Sequence, residues 1–237
     1  MRKTVPDEGR RMNEQQLREA VIDTALETNR RGLNQGTSGN VSVRCGDGLL
    51  ITPSGVAYED LAPKDLVYMD ADGRWSAHQK PSSEWHFHRA ILREREDIHA
   101  VVHVHSVYAS VVAIQQRDIP PLHYMIAAAG GDSIRCAPYA TFGTPELSRH
   151  ALAALDDRYA CLLANHGMIA TGPDLARALW LTEEVELLAQ QYVLSLSIGG
   201  PALLDAAEMQ RVREAFRQYG PRREAAPNGS EQEPDEP

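Results

Sequence analysis

Cysteine is scarce in this sequence: Cys45, Cys136 and Cys161 stand far apart in 237 residues. No C-x-x-C pair occurs among them, which excludes a zinc ribbon and a dithiol redox motif. An odd set of isolated thiols reads as reduced side chains in or near a core. Positive charge is also short. With 24 Lys and Arg against 33 Asp and Glu, the formal net charge is −9, so the concentrated basic face that nucleic acid demands is not indicated. No run approaches the roughly 18 apolar residues of a membrane helix. The longest apolar stretches, such as 100–102 and 127–129, are bounded by His, Gly or Asp. The first residues (Met1, Arg2, Lys3, then Asp7 and Glu8) carry no apolar segment, so no secretory signal is read and the cytoplasm is the expected compartment.

What is present is an ordinary globular composition, 43% hydrophobic and 24% charged, at a length that suits one generous domain. Over 13–30, Leu17, Val21, Ala25 and Thr28 fall on one helical stripe. Two short apolar runs, 41–44 and 49–52, flank Cys45-Gly46-Asp47-Gly48 and read as a hairpin. Further strands are expected over 66–69, 100–105, 133–139 and 159–165. Further helices are expected over 82–95, 107–115, 145–155, 174–197 and 207–219, the first opened by Pro81 with Ser82 or Ser83 as its cap. Strands and helices interleave, but the early hairpin argues against a purely parallel sheet, so the fold class is a mixed, layered α/β domain. The expected organisation is an N-terminal extension over 1–12, a domain over 13–220, and an acidic, Pro-rich, disordered tail over 221–237.

His103 and His105 flank one residue within an expected strand. Side chains at i and i+2 of a strand share a face, so both imidazoles can reach one ion. His86 and His88 have the same spacing but fall in an expected helix, where the two rings diverge by about 200°. His166 ends an apolar strand beside Gly167, a position where side chains emerge from a sheet. Three imidazoles favour a borderline cation such as zinc, and without a fourth Cys or His the site reads as catalytic.

Three segments rich in small and hydroxyl residues sit at element boundaries: Gly36-Thr37-Ser38-Gly39-Asn40, Thr52-Pro53-Ser54-Gly55 and Pro81-Ser82-Ser83. Glycine lets backbone approach an anion, and hydroxyls add donors. None fits a nucleotide-binding loop. Glu84 follows the serines in the first turn of the expected helix, where it serves the helix dipole or, beside a bound phosphate, acts as an acid or base.

Taken in order, Gly36-Thr37-Ser38-Gly39-Asn40-Val41-Ser42, Thr52-Pro53-Ser54-Gly55, Pro81-Ser82-Ser83-Glu84-Trp85, His103-x-His105 and His166-Gly167 resemble the class II aldolase/adducin family. The likeness extends through the segments 123–131, 136–144 and 216–220, over about 16–220. It implies a three-layer α/β/α fold with a central, mostly antiparallel sheet, assembled as a homotetramer with active sites between neighbouring subunits. It implies one Zn²⁺ per subunit on His103, His105 and His166, with Glu84 ligating at rest and then carrying a proton. Gly39, Asn40, Ser54, Gly55, Ser82 and Ser83 would hold the substrate phosphate. Tyr124 of a neighbouring subunit would be the second acid or base, with Phe142 and Tyr219 shaping that half of the site. The implied reaction cleaves a ketose 1-phosphate to dihydroxyacetone phosphate and a short aldehyde, L-fuculose 1-phosphate and L-lactaldehyde being the first choice. Glu84 and Ser38 disfavour the family's phosphopentose 4-epimerases, which resemble this chain but carry aspartate and a bulkier aromatic there. A keto-tetronate-phosphate decarboxylase shares the metal and phosphate sets. A non-catalytic adducin-like scaffold lacks the full histidine set. Arg135 departs from the family pattern and is a candidate for altering specificity.

Overall fold

The computed structural model describes residues 12–75 and 78–218. Tyr219, the 221–237 tail and all of the 1–12 extension except Met12 lie outside the described residues. Seven strands form one sheet: β1 (Asn40–Cys45), β2 (Gly48–Ile51), β3 (Val67–Met69), β4 (Ala100–Val104), β5 (Arg135–Ala137), β6 (Ala160–Leu163) and β7 (Gly167–Gly172). Their order is β3-β2-β1-β4-β7-β6-β5, and every neighbouring pair is antiparallel except β5 with β6. The helices are α1 (Glu14–Arg30), α2 (Trp85–Glu94), α3 (Val107–Ile114), α4 (Pro145–Ala154), α5 (Leu175–Ser197) and α6 (Ala206–Gln218).

The helix starts follow from local chemistry. Asn13 and Gln16 exchange bonds as a capping box on α1, Thr144 caps α4 ahead of Pro145, and Asp174 accepts from the Arg177 N–H on α5. α2 differs: its N-cap is Glu84, whose side chain makes no capping bond. The cap expected at Ser82 or Ser83, and Glu84 in the first turn, are therefore corrected. The Trp85 N–H bonds the Ser82 carbonyl, so a tight turn occupies 82–85 and the helix begins at Trp85, three residues later than expected.

Alternation along the strands sorts side chains into two layers. Leu49, Ile51, Val67, Val101, Leu163 and Ile169 meet Phe87 and Ile91 of α2 and Leu147 and Ala151 of α4. Val41, Val43, Leu50, Val102, Leu162 and Met168 meet α1, α3 and α5 on the other face. This is the expected three-layer α/β/α arrangement. β4 lies at the centre, all five of its residues buried. A one-residue slip would turn Val102 and Val104 out of the α1/α5 layer and His103 into it. At about 1.5–3 kcal/mol per branched apolar side chain, that cost fixes the register.

Strand β7 escaped the sequence reading because glycine at both ends looks like turn. Gly167 is needed there for close approach: a Cβ would stand 2.5 Å from the Val104 carbonyl oxygen and 2.8 Å from His105 Cδ2. The strand expected over 159–165 stops at Leu163, and that over 100–105 stops at Val104, because their ladders with β7 end there.

Candidate metal centre and cleft

Four side chains meet where β1, β4 and β7 reach the start of α2. His103, on the α2 face of β4, is paired across the ladder with Asn40 of β1, so those side chains are neighbours. His105 stands one residue past the end of β4. His166 sits in the turn 164–166 that closes the β6–β7 hairpin, after Asn165 in the left-handed region at φ +53°. Asparagine tolerates that conformation. Its Oδ1 accepts from Gln116 Nε2 (2.9 Å) and its N–H bonds the Ala113 carbonyl, which ties the turn to the end of α3. The three imidazoles form an even triangle, each pair of ring centroids 4.9 Å apart and edge-to-face. Glu84 closes the set, with Oε2 3.1 Å from His103 Nε2 and Oε1 3.2 Å from His166 Nε2.

The donor chemistry suits a cation. His103 Nδ1–H donates to the Met168 carbonyl (2.8 Å), which leaves the lone pair on Nε2. That lone pair faces His105 Nε2 at 3.1 Å as well as the carboxylate. Oε1 of Glu84 is buried and accepts no hydrogen bond. One ligand atom from each of the four residues lies within 4.8 Å of the others. Burial, then proximity to His103, push His105 and His166 down to about 4, so both rings are neutral at pH 7. Burial alone would raise the Glu84 carboxyl. His103, His166 and the Asn40 amide outweigh it and hold Glu84 well below the usual carboxylate range. Three imidazoles and an anionic carboxylate converging on one point are a set that could hold a divalent cation.

A cleft of about 340 Å³ opens from this cluster, enough for a phosphorylated sugar. Gly39, Asn40, Ser54, Gly55, Ser82 and Ser83 all line it, and among the described residues no Lys or Arg does. The segments are tied together: the N–H groups of Ser54 and Ser82 bond the carbonyls of Lys80 and Thr52, both at 3.0 Å, around a bridge between Pro53 and Pro81. Gly39 has φ +75°, and a Cβ there would come within 2.6 Å of the His103 carbonyl oxygen. The glycine lets this loop lie against β4.

Other expected residues fall elsewhere. Phe142 lines this chain's cleft, with Tyr139 and Asn165. Tyr124 begins the 3-10 helix Tyr124–Ala129 and is 52% exposed; its ring lies 6.4 Å from that of Phe216 on α6, and it does not line the cleft. Arg135, on the edge strand β5, donates to the Asp156 carbonyl and does not line the cleft.

Sequence reasoning missed two supports. Glu186 of α5 accepts from Ser106 Oγ and from the N–H groups of Tyr108 and Ala109 at 2.7–2.9 Å, capping α3 directly after His105. His88, set aside as half of a non-chelating pair, is fully buried against Asn40 and Ser42. The available signal was its i, i+4 spacing from Glu84, which places both at one helix face.

The cluster and its cleft form a candidate active site, and comparison with known proteins gives the class. Residues 19–193 match the family described as Class II Aldolase and Adducin N-terminal domain. The chain belongs to the class II aldolase/adducin family, whose aldolases are metal-dependent lyases. It is 57% identical over 204 residues to the 5-methylthioribulose-1-phosphate/5-deoxyribulose-1-phosphate aldolase of Rhodospirillum rubrum, covering 86% of this chain and 92% of that protein. It is 52% identical over 210 residues to the L-fuculose phosphate aldolase of Escherichia coli, covering 88% and 98%. A solved L-fuculose 1-phosphate aldolase superposes with a TM-score of 0.84 at 38% identity, covering 87% of this chain and 98% of that one. With relatives of this kind over nearly their full length, the chain is an enzyme, a class II aldolase.

Proposed function

We propose that this aldolase reversibly cleaves a ketose 1-phosphate between C3 and C4, releasing dihydroxyacetone phosphate and a short aldehyde. The observation that carries the reading is the placement of Glu84, His103, His105 and His166 at one end of a cleft whose wall is three Gly/Ser segments. His103, His105, His166 and Glu84 would hold one Zn²⁺ per subunit. Bound there, the cation supplies Lewis-acid stabilisation of the negative charge that develops on the substrate's C1–C2 oxygens. Gly39, Asn40, Ser54, Gly55, Ser82 and Ser83 orient the phosphate through neutral donors. Glu84 protonates C3 of the enediolate in cleavage and removes that proton in synthesis.

A base is also needed for the C4 hydroxyl, and Tyr124 is assigned to it. Within one chain Tyr124 does not line the cleft, so the assignment requires a second copy. Val107, Val111 and Ile114 form an exposed apolar stripe on α3, starting two residues after His105, which supports subunit contact beside the site. We take the assembly to be a homotetramer, with Tyr219 and Phe142 shaping the half of the site that Tyr124 joins. No described helix is long and apolar enough to cross a membrane, and the cytoplasm is the compartment we assign.

L-Fuculose 1-phosphate, cleaved to L-lactaldehyde in fucose metabolism, is the first substrate reading, supported by the Escherichia coli relative. A second reading, 5-deoxyribulose 1-phosphate or 5-methylthioribulose 1-phosphate, is favoured by the Rhodospirillum rubrum relative. In all three the aldehyde fragment ends in a methyl or thiomethyl group, and Tyr139, Ala140 and Phe142 give the cleft an apolar side. Incubating zinc-loaded protein with each sugar phosphate and coupling the product to dihydroxyacetone-phosphate reduction ranks them. Release from at least one is expected. Zinc-replete protein that inverts C4 without releasing a triose would be an epimerase, and the aldolase proposal would fall.

A further inference from the structure

His88 reaches the site through a chain of hydrogen bonds whose direction is fixed by its last member. Glu84 is a carboxylate and can only accept. Asn40 must therefore turn its NH₂ group to Glu84 Oε2, at 3.0 Å. The Asn40 Oδ1 then faces His88 Nε2, and an amide oxygen accepts, so Nε2 carries the proton. His88 Nδ1 is left as an acceptor, which Ser42 Oγ–H satisfies at 2.7 Å. Asn40 and Ser42 are alternate residues of β1, so both project toward α2. His88 has no exposed surface, and burial, then His103, push it down to about 3. It is a neutral ring with one donor and one acceptor, both engaged.

Without a donor at His88, the Asn40 amide could turn over and set its oxygen against the carboxylate. With Nε2–H in place, that flip sets oxygen against oxygen at Glu84 and N–H against N–H at His88. One orientation survives. Oε1 receives no such anchor, being buried without a hydrogen bond. The carboxylate is thus anchored by Asn40 at Oε2, while Oε1, 3.2 Å from His166 Nε2, accepts no hydrogen bond.

We infer that His88 is a positioning residue of this site, which as its Nε2–H tautomer locks Asn40 and through it Glu84, holding the carboxylate against the histidine cluster. The inference rests on the reading of Glu84 as ligand and proton carrier. A merely structural histidine would be replaced well by an apolar ring, since Phe87 stacks beside it at 4.7 Å. A positioning residue needs the donor. Long-range ¹H–¹⁵N NMR on cation-free wild-type protein should find His88 neutral and protonated at Nε2 at neutral pH.

Zinc titrations of His88→Phe and His88→Gln should separate the two roles. His88→Phe is expected to melt no lower than His88→Gln yet bind zinc about 10-fold more weakly than wild type, the scale of losing an outer partner. His88→Gln, whose amide N–H can reach Asn40 Oδ1, should recover most of that affinity. An Nδ1–H tautomer overturns the inference, and so do equal affinities in all three proteins. The tautomer reading stands even if His88→Phe does not fold. Failure of wild type to release dihydroxyacetone phosphate would remove the proposed reaction and leave the zinc and tautomer results to decide the role of His88.

Discussion

His105→Ala is expected to lose bound zinc on dialysis and to lower kcat/KM for the ketose phosphate by about a thousandfold. The Lewis acid is asked to supply several kcal/mol of transition-state stabilisation, about 4 kcal/mol here, at 1.36 kcal/mol per tenfold in rate. His105 is the informative choice because it lies beyond the end of β4 and outside both hydrophobic clusters, so its loss leaves the core intact. His103→Ala should act in the same direction but also frees the Met168 carbonyl that His103 Nδ1 satisfies, which adds a stability cost. Atomic emission on the dialysed variant, together with steady-state triose release, checks the outcome. Wild-type zinc content in His105→Ala would take this imidazole out of the cluster's function.

Glu84→Gln should give a different result. Three imidazoles remain, so zinc stays, while proton transfer to and from C3 is lost. The expected fall in kcat is about 10²–10⁴-fold, the range for a positioned acid or base. Exchange of the C3 proton of dihydroxyacetone phosphate with solvent deuterium isolates this step from carbon–carbon cleavage. It should stop in the variant while zinc content holds. Exchange at the wild-type rate would show that another group carries that proton.

Much of this was legible in the residue order, for physical reasons that differ from place to place. Period-2 alternation in β4 carried the pairing of His103 with His105, and helical geometry separated His86 from His88. The starts of α1, α4 and α5 fall within a residue or two of the expected ranges, because the caps at Asn13, Thr144 and Asp174 are sequence-local. Glu84 was not, because an N-cap whose side chain leaves its helix breaks the local rule, and such breaks concentrate at functional sites. β7 was hidden because Gly167 and Gly172 are there for close backbone approach, which no single sequence displays. The Ser42–His88–Asn40–Glu84 chain joins residues 42 and 88 across two elements. Only the packing of α2 on β1 brings them together.

Anomalous diffraction at the zinc edge, on crystals of zinc-loaded protein, tests the central claim most directly. One peak per chain is expected, within bonding distance of His103, His105 and His166 Nε2 and of Glu84. A peak elsewhere in the chain, or none at this cluster in protein that retains zinc and cleaves its substrate, would contradict it.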